Sequence, residues 1–237
     1  MIELKYVDKR YPTSNALLYI RGLTINKGEV VGILGVNGSG KTTLLKSIMG
    51  IGELQNGEIT IEGQPIQSQY ARIAFITEEG SFMPGMTPPE YARFLASFFP
   101  RFDMEYFERL IRLYELPAGR RIRTFSRGQK MRLEISAGLA KRADYLFMDE
   151  PFTGSDIFAR RDSLKQMMSE LRGGETVLIS THLIDEIENV IDRAIILHQG
   201  LIRADLYVDE LREAGKSLAD AMQEARNSQP WGGGVEK

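Results

Sequence analysis

The segment Val30-Val31-Gly32-Ile33-Leu34-Gly35-Val36-Asn37-Gly38-Ser39-Gly40-Lys41-Thr42 constrains the fold of this chain more than any other stretch. Its first five residues form a continuous apolar run, as expected for a buried strand. Residues 42–49 then carry Leu44, Leu45, Ile48 and Met49 at helical spacing and stop at Gly50, a natural helix end. Strand, glycine loop and helix thus follow in order.

Phosphoryl oxygens need several donors converging on a small volume, and a glycine-rich turn supplies them because main-chain N–H groups approach without intervening side chains. Gly35, Asn37, Gly38, Ser39 and Gly40 form such a turn. The following helix presents its positive end, Lys41 can neutralise β- and γ-oxygens, the Thr42 hydroxyl can ligate Mg²⁺, and Thr43 adds a hydroxyl nearby. An ordinary glycine turn is the competing reading; average composition would produce the four fixed positions in roughly 1 in 100 chains of this length. The strand-to-helix context favours phosphate binding.

A second constellation, Tyr145-Leu146-Phe147-Met148-Asp149-Glu150, is an apolar strand ending in two carboxylates. Ligands of α/β sheets bind at the carboxyl ends of strands. Asp149 would hold Mg²⁺ directly or through water, and Glu150 would orient, or take a proton from, the water attacking a γ-phosphate. Alone, such a pair reads more readily as solvated turn chemistry. With the glycine loop about a hundred residues earlier, the two define a P-loop NTPase.

The bulk numbers limit the partners. The chain has 237 residues, 43% of them apolar, enough for one sizeable domain but too short for a transporter by itself. Thirty basic residues face 32 acidic ones without a basic stripe, which argues against nucleic acid as a partner. There is no cysteine, hence no disulfide or thiolate chemistry. No apolar stretch approaches the roughly 20 residues of a membrane span, and the amino terminus lacks a signal-peptide core, so a membrane role requires separate subunits.

Residues 57–77 read as β-rich, whereas Thr87-Pro88-Pro89-Glu90 is a capping box with proline in the first turn and opens a mostly helical stretch to about Lys141. Strand signals return at 145–148, 176–179 and 194–197. The expected fold is α/β: a P-loop NTPase (RecA-like) core with an antiparallel β subdomain and an inserted helical subdomain. The expected division is a single domain over 1–237, with 1–84 and 145–205 as core, 85–144 as helical insertion, and 206–237 as a C-terminal helix and flexible tail.

Thr124-Phe125-Ser126-Arg127-Gly128-Gln129 resembles the signature of ATP-binding cassette (ABC) proteins, usually Leu-Ser-Gly-Gly-Gln, and stands about twenty residues before Asp149. The resemblance extends over residues 1–205 with six motifs in the family's order. It implies that Ser126, Gly128 and Gln129 cap the nucleotide held by a second subunit, although Ser126-x-x-Gln129 is also a plain capping box. His182 in Ser180-Thr181-His182 matches the switch histidine, Tyr11 the aromatic on which adenine stacks, and Asp156 in Gly154-Ser155-Asp156 the loop that communicates across the dimer.

Three departures stand out. The family's glutamine would align with Glu78, which would put a carboxylate near Mg²⁺ and the γ-phosphate unless Glu79, or neither residue, enters the site; this variant is associated with export-type bacterial subunits. Arg127 replaces the first signature glycine, and Ser155 replaces a leucine. Arg120-Arg121-Ile122-Arg123 could meet a membrane partner, though such a run is more often a solvated face.

The resemblance implies ATP and Mg²⁺ as ligands, and a homodimer or a heterodimer with a similar ATPase subunit. It also implies transmembrane permease subunits as partners and a cytoplasmic, membrane-peripheral location. Lys41, Glu150 and His182 would be catalytic, and Thr42, Asp149 and Glu78 would surround the metal. The alternative is a soluble ABC ATPase that remodels a non-membrane partner.

Overall fold

The computed structural model describes the main chain of residues 1–10, 17–77, 80–151 and 157–227, with side chains for these except 157–162, 186 and 227. The readings of Tyr11, Glu78, residues 154–156 including Asp156, and the 229–234 tail lie outside the described residues.

Along the chain run β1 (Ile2–Arg10), β2 (Leu17–Ile25), β3 (Val30–Leu34), α1 (Lys41–Ile48), β4 (Asn56–Ile61), β5 (Gln64–Pro65), β6 (Ile73–Thr77), α2 (Pro88–Ala96) and α3 (Met104–Leu113). These are followed by α4 (Arg127–Ala140), β7 (Tyr145–Asp149), α5 (Ile157–Ser169), β8 (Thr176–Thr181), α6 (Ile184–Ile187), β9 (Arg193–His198), β10 (Leu201–Tyr207), α7 (Val208–Glu213) and α8 (Leu218–Asn227). The chain divides into two compact bodies, Met1–Gln69 with Thr176–Lys237, and Tyr70–Glu175.

In the first body the strands follow the order β5-β4-β1-β2-β10-β9-β3-β8. The pairings β1 with β2 and β1 with β4 are antiparallel, whereas β3 runs parallel to both β8 and β9. Burial explains the difference in sequence texture. Strand β2 alternates exposed and buried residues, while β8 is buried throughout, as parallel strands covered on both faces are. The apolar runs at 30–34, 176–179 and 194–197 are therefore the strands expected of them.

Strand β1 breaks its alternation at Tyr6, whose φ is 51° and whose side chain is exposed. Its register opposite β4 shifts between Lys5 and Asp8. This β-bulge turns Val7, Asp8 and Lys9 inward. Lys9 satisfies its buried ammonium on the carbonyls of Ile51 (3.2 Å) and Glu53 (3.0 Å).

At the amino end of β9, Arg193 binds Asp205 with Nε at 2.6 Å and Nη2 at 2.7 Å. Its Nη1 reaches Glu29 at 3.1 Å and the Thr24 carbonyl at 2.9 Å. Burial alone would disfavour the guanidinium charge, but the hydrogen bonds and charge of Asp205 outweigh it and raise the Arg193 pKa.

The second body pairs β6 and β7 in parallel, with Thr77 opposite Asp149. The capping box at Thr87 and Glu90 starts α2, and Ser126 with Gln129 starts α4, both as the sequence predicts. Helix α3 turns Tyr106, Phe107, Leu110 and Ile111 inward and is capped by Asp103, which accepts the Tyr106 N–H at 2.9 Å. Each fully buried side chain of this size contributes about 2 kcal/mol by leaving water. The α/β fold class with an antiparallel β region and inserted helices is the one observed.

Candidate functional site

In the first body the strand-loop-helix unit forms as the sequence dictates. Leu34 pairs with Thr181 of β8 and Ile196 of β9, so Gly35 and His182 leave neighbouring strand ends on one edge of the sheet. That edge is the carboxyl edge of the parallel strands, where ligands of α/β sheets bind.

The loop is built close to the main chain behind it. A Cβ on Gly35 would meet Ser39 Oγ and lie 2.5 Å from the Leu197 carbonyl, so no larger residue fits. Gly40 sits at the N-cap of α1 with φ 108°, a conformation costly for any L side chain. On the outer side, Gly38 has open space around it, and Val36, Asn37 and Gly38 are exposed.

Lys41 is buried, and its ammonium donates to the Gly35 carbonyl at 2.8 Å and the Val36 carbonyl at 3.4 Å. The cation is thereby folded over the loop it serves. Ser39 is also buried, and its hydroxyl makes no hydrogen bond among the described residues. An orphaned buried hydroxyl in a glycine cradle beside an ammonium group fits an anionic ligand with several oxygens.

Sequence reasoning missed the support behind this loop. Gly200, with φ 74° in the turn between β9 and β10, donates its N–H to the Ser39 carbonyl at 2.8 Å, and its own carbonyl accepts Tyr19 N–H at 2.8 Å. The turn itself is legible as Gln199-Gly200 after an apolar run, but its destination is not.

In the second body Asp149 ends β7, and Glu150 follows with φ 48°. Left-handed backbone at a non-glycine residue costs roughly 1 kcal/mol and concentrates at functional positions. Thr77, the last residue before the 78–79 segment, is Asp149's partner across the sheet. Ser126 caps α4 reciprocally, its Oγ accepting Gln129 N–H at 3.2 Å and its N–H donating to Gln129 Oε1 at 3.0 Å. Gly128 has nothing within 4 Å of where a Cβ would stand, which leaves the first turn of α4 open.

A family profile described as "ABC transporter" matches residues 21–153, and the chain is 33% identical over 217 residues to the ABC transporter ATP-binding protein YtrB of Bacillus subtilis, covering 90% of this chain and 74% of that one. This chain belongs to the ABC transporter family. It is an ATP-binding, ATP-hydrolysing subunit of that family. A Nod factor export ATP-binding protein I of Burkholderia orbicola is 30% identical, covering 84% and 68% of the two chains.

A solved ATP-binding subunit of an ABC transporter superposes with a TM-score of 0.80 at 27% identity, covering 95% of this chain and 99% of that one. The bacterial ABC transporter cassette MJ0796, solved as a dimer, gives 0.77 at 25% identity over 88% and 99%. Among the described residues, no helix is long and apolar enough to cross a membrane.

Proposed function

We propose that this chain powers export by closing on a second cassette over bound Mg²⁺-ATP and reopening after hydrolysis, while separate permease subunits carry the solute. The observation carrying this reading is the loop with Lys41 bonded across Gly35 and Val36, backed on one side and open on the other. The Nod factor relative supports the direction, and the dimeric cassette supports the pairing. Attachment to permease subunits would hold the chain at the cytoplasmic face of the membrane.

In this scheme Gly35 to Thr43 cradle the phosphates, and Lys41 moves from its carbonyl partners to the β- and γ-oxygens. Thr42, Asp149 and Glu78 would hold Mg²⁺, which would supply charge neutralisation at the phosphate oxygens. One hydroxyl and one or two carboxylates suit a cation that keeps several ligand positions for water and phosphate.

Glu150 orients the attacking water and accepts its proton, and His182 contacts the γ-phosphate. Tyr11 stacks on adenine. Ser126, Gly128 and Gln129 complete the partner subunit's site, and Asp156 communicates across the interface.

Affinity purification from native membranes tests the partnership. A multi-span protein recovered in stoichiometric amount is expected; recovery with a soluble partner alone contradicts the transport reading and favours a soluble ATPase.

A further inference from the structure

The second body buries a carboxylate that the scheme above does not use. Glu134, in the middle of α4, is 3% exposed. It accepts the Ser81 hydroxyl on one oxygen and the Tyr91 hydroxyl on the other, each at 3.1 Å, and those two hydroxyls lie 2.9 Å apart. Ser81 belongs to the loop leaving β6, Tyr91 to α2 and Glu134 to α4, so one carboxylate ties three segments.

The contact is one of a series. Residues 130, 134 and 138 lie four apart and share a face of α4. A Cβ on Gly138 would lie 2.5 Å from Ile76 Cδ1, so the helix presses directly on β6. One turn nearer the signature is Glu134 on Ser81, and one turn further the Lys130 ammonium lies 5.7 Å from the centre of the Phe82 ring. Lys130 N–H in turn bonds to the Ser126 carbonyl at 2.9 Å. The stripe follows β6 and the loop after it, then ends at the signature cap. Across the 78–79 segment, Gly80 N–H bonds to the Thr77 carbonyl (3.1 Å) and hydroxyl (3.2 Å).

A buried carboxylate is an expensive way to fill space. Desolvation costs several kcal/mol, and a well-packed apolar side chain would give equal or greater stability. Burial raises the Glu134 pKa against the Ser81 hydrogen bonds, the Lys141 charge and the Tyr91 hydrogen bond. Lys141 is itself buried over the Phe99 ring at 4.3 Å, with its pKa lowered by burial. What the carboxylate supplies, and an apolar residue would not, is directional attachment of Ser81.

We propose that Glu134 is a positioning residue: with Ser81 and Tyr91 it locks the loop that follows Glu78 to the signature helix, so that the metal side of one site and the Ser126 cap move as one piece. The inference rests on the assignment of Glu78 and Ser126 to nucleotide sites made above. Both hydroxyl protons go to the carboxylate, so removing either hydroxyl takes away one of the two hydroxyl hydrogen bonds that hold it.

The test uses the full chain in its native complex, with Ser81→Ala and Tyr91→Phe measured beside Tyr106→Phe. Tyr106 donates to Glu170 at 3.0 Å in the same body and, among the described residues, makes no hydrogen bond to residues 80–82, so it controls for loss of a phenol–carboxylate bond. Ser81→Ala and Tyr91→Phe should each lower kcat for ATP about 10- to 100-fold and raise the Mg²⁺ concentration giving half-maximal turnover. ATP affinity should stay within about twofold of wild type, and in a Glu78→Ala background neither change should have further effect.

Equal kcat losses in Tyr91→Phe and Tyr106→Phe, or losses that multiply with Glu78→Ala, would overturn the clamp. So would a Glu78→Ala protein indistinguishable from wild type, which leaves the phosphate-loop assignment standing. Absence of Mg²⁺-dependent turnover in the wild-type complex would instead sink the functional reading beneath it. Should Tyr91→Phe fail to fold, Ser81→Ala, an exposed loop residue, carries the same comparison.

Discussion

The Gly200 N–H is bonded to the Ser39 carbonyl at 2.8 Å, so a turn about 160 residues downstream forms the back of the phosphate loop. The Gly200 carbonyl holds Tyr19 of β2 at the same distance. One residue therefore joins three stretches of chain, and its φ of 74° admits glycine readily.

Replacing Gly200 with alanine should be costly on two counts. The left-handed backbone penalises an L side chain by roughly 1 kcal/mol. The new Cβ would also collide with the Leu17 carbonyl. We expect a stability loss of about 2–3 kcal/mol in chemical denaturation together with weakened ATP binding. Undiminished ATP affinity would show that the loop keeps its shape without this support.

Arg193 separates stability from nucleotide binding. It pairs with Val31 in register, toward the start of β3, while the phosphate loop leaves the other end after Leu34. Arg193→Met leaves Asp205 and Glu29 without their cation and should destabilise the fold by about 3–5 kcal/mol. The Kd for ATP of the folded fraction should remain within about twofold, as expected for distant sites. Chemical denaturation reads the first, and isothermal titration below the unfolding transition reads the second.

Asp144 sets an acid limit on the second body. Burial pushes its pKa up, but hydrogen bonds and charge from Arg101 and Arg72 prevail and hold it down to about 2, from 3.8. The carboxylate is hydrogen-bonded at 2.6 Å to Arg72 Nε and at 2.7 Å to Arg101 Nη2. Because the folded value is the lower one, this stabilisation is present above pH 4 and disappears as the pH falls towards 2. It amounts to about 2 kcal/mol. Asp144→Asn should remove it at neutral pH and flatten the acid limb of the stability curve.

Two capping boxes provide an internal comparison. Thr87 donates its N–H and its hydroxyl to the Glu90 carboxylate at the start of α2, and Ser126 exchanges bonds with Gln129 at the start of α4. Thr87→Ala and Ser126→Ala should each cost about 1 kcal/mol of stability. Only Ser126→Ala should also abolish most ATP turnover of the assembled complex. Equal turnover in the two variants would reduce Ser126 to a helix cap.

Local physics made much of this legible in the sequence. Strand β3, the glycine loop, α1 and both capping boxes depend on residues within a few positions of one another, and all formed as expected. What could not be read depends on long-range approach. Nothing in Gln199-Gly200 tells that the turn meets Ser39, and Glu134 sits in a helix whose periodicity does not reveal that its carboxylate is buried against Ser81 and Tyr91. The bulge at Tyr6 was equally hidden, because its cause lies in pairing with β4. The left-handed backbone at Glu150 was hidden too.

The most direct measurement is the oligomeric state and ATP turnover of Glu150→Gln in the presence of ATP, set against wild type. The account predicts a stable ATP-bound dimer with turnover lowered by at least about 100-fold. That dimer should be lost when Lys41→Ala is added. A Glu150→Gln protein that stays monomeric with ATP and hydrolyses it at the wild-type rate would contradict the account at its centre.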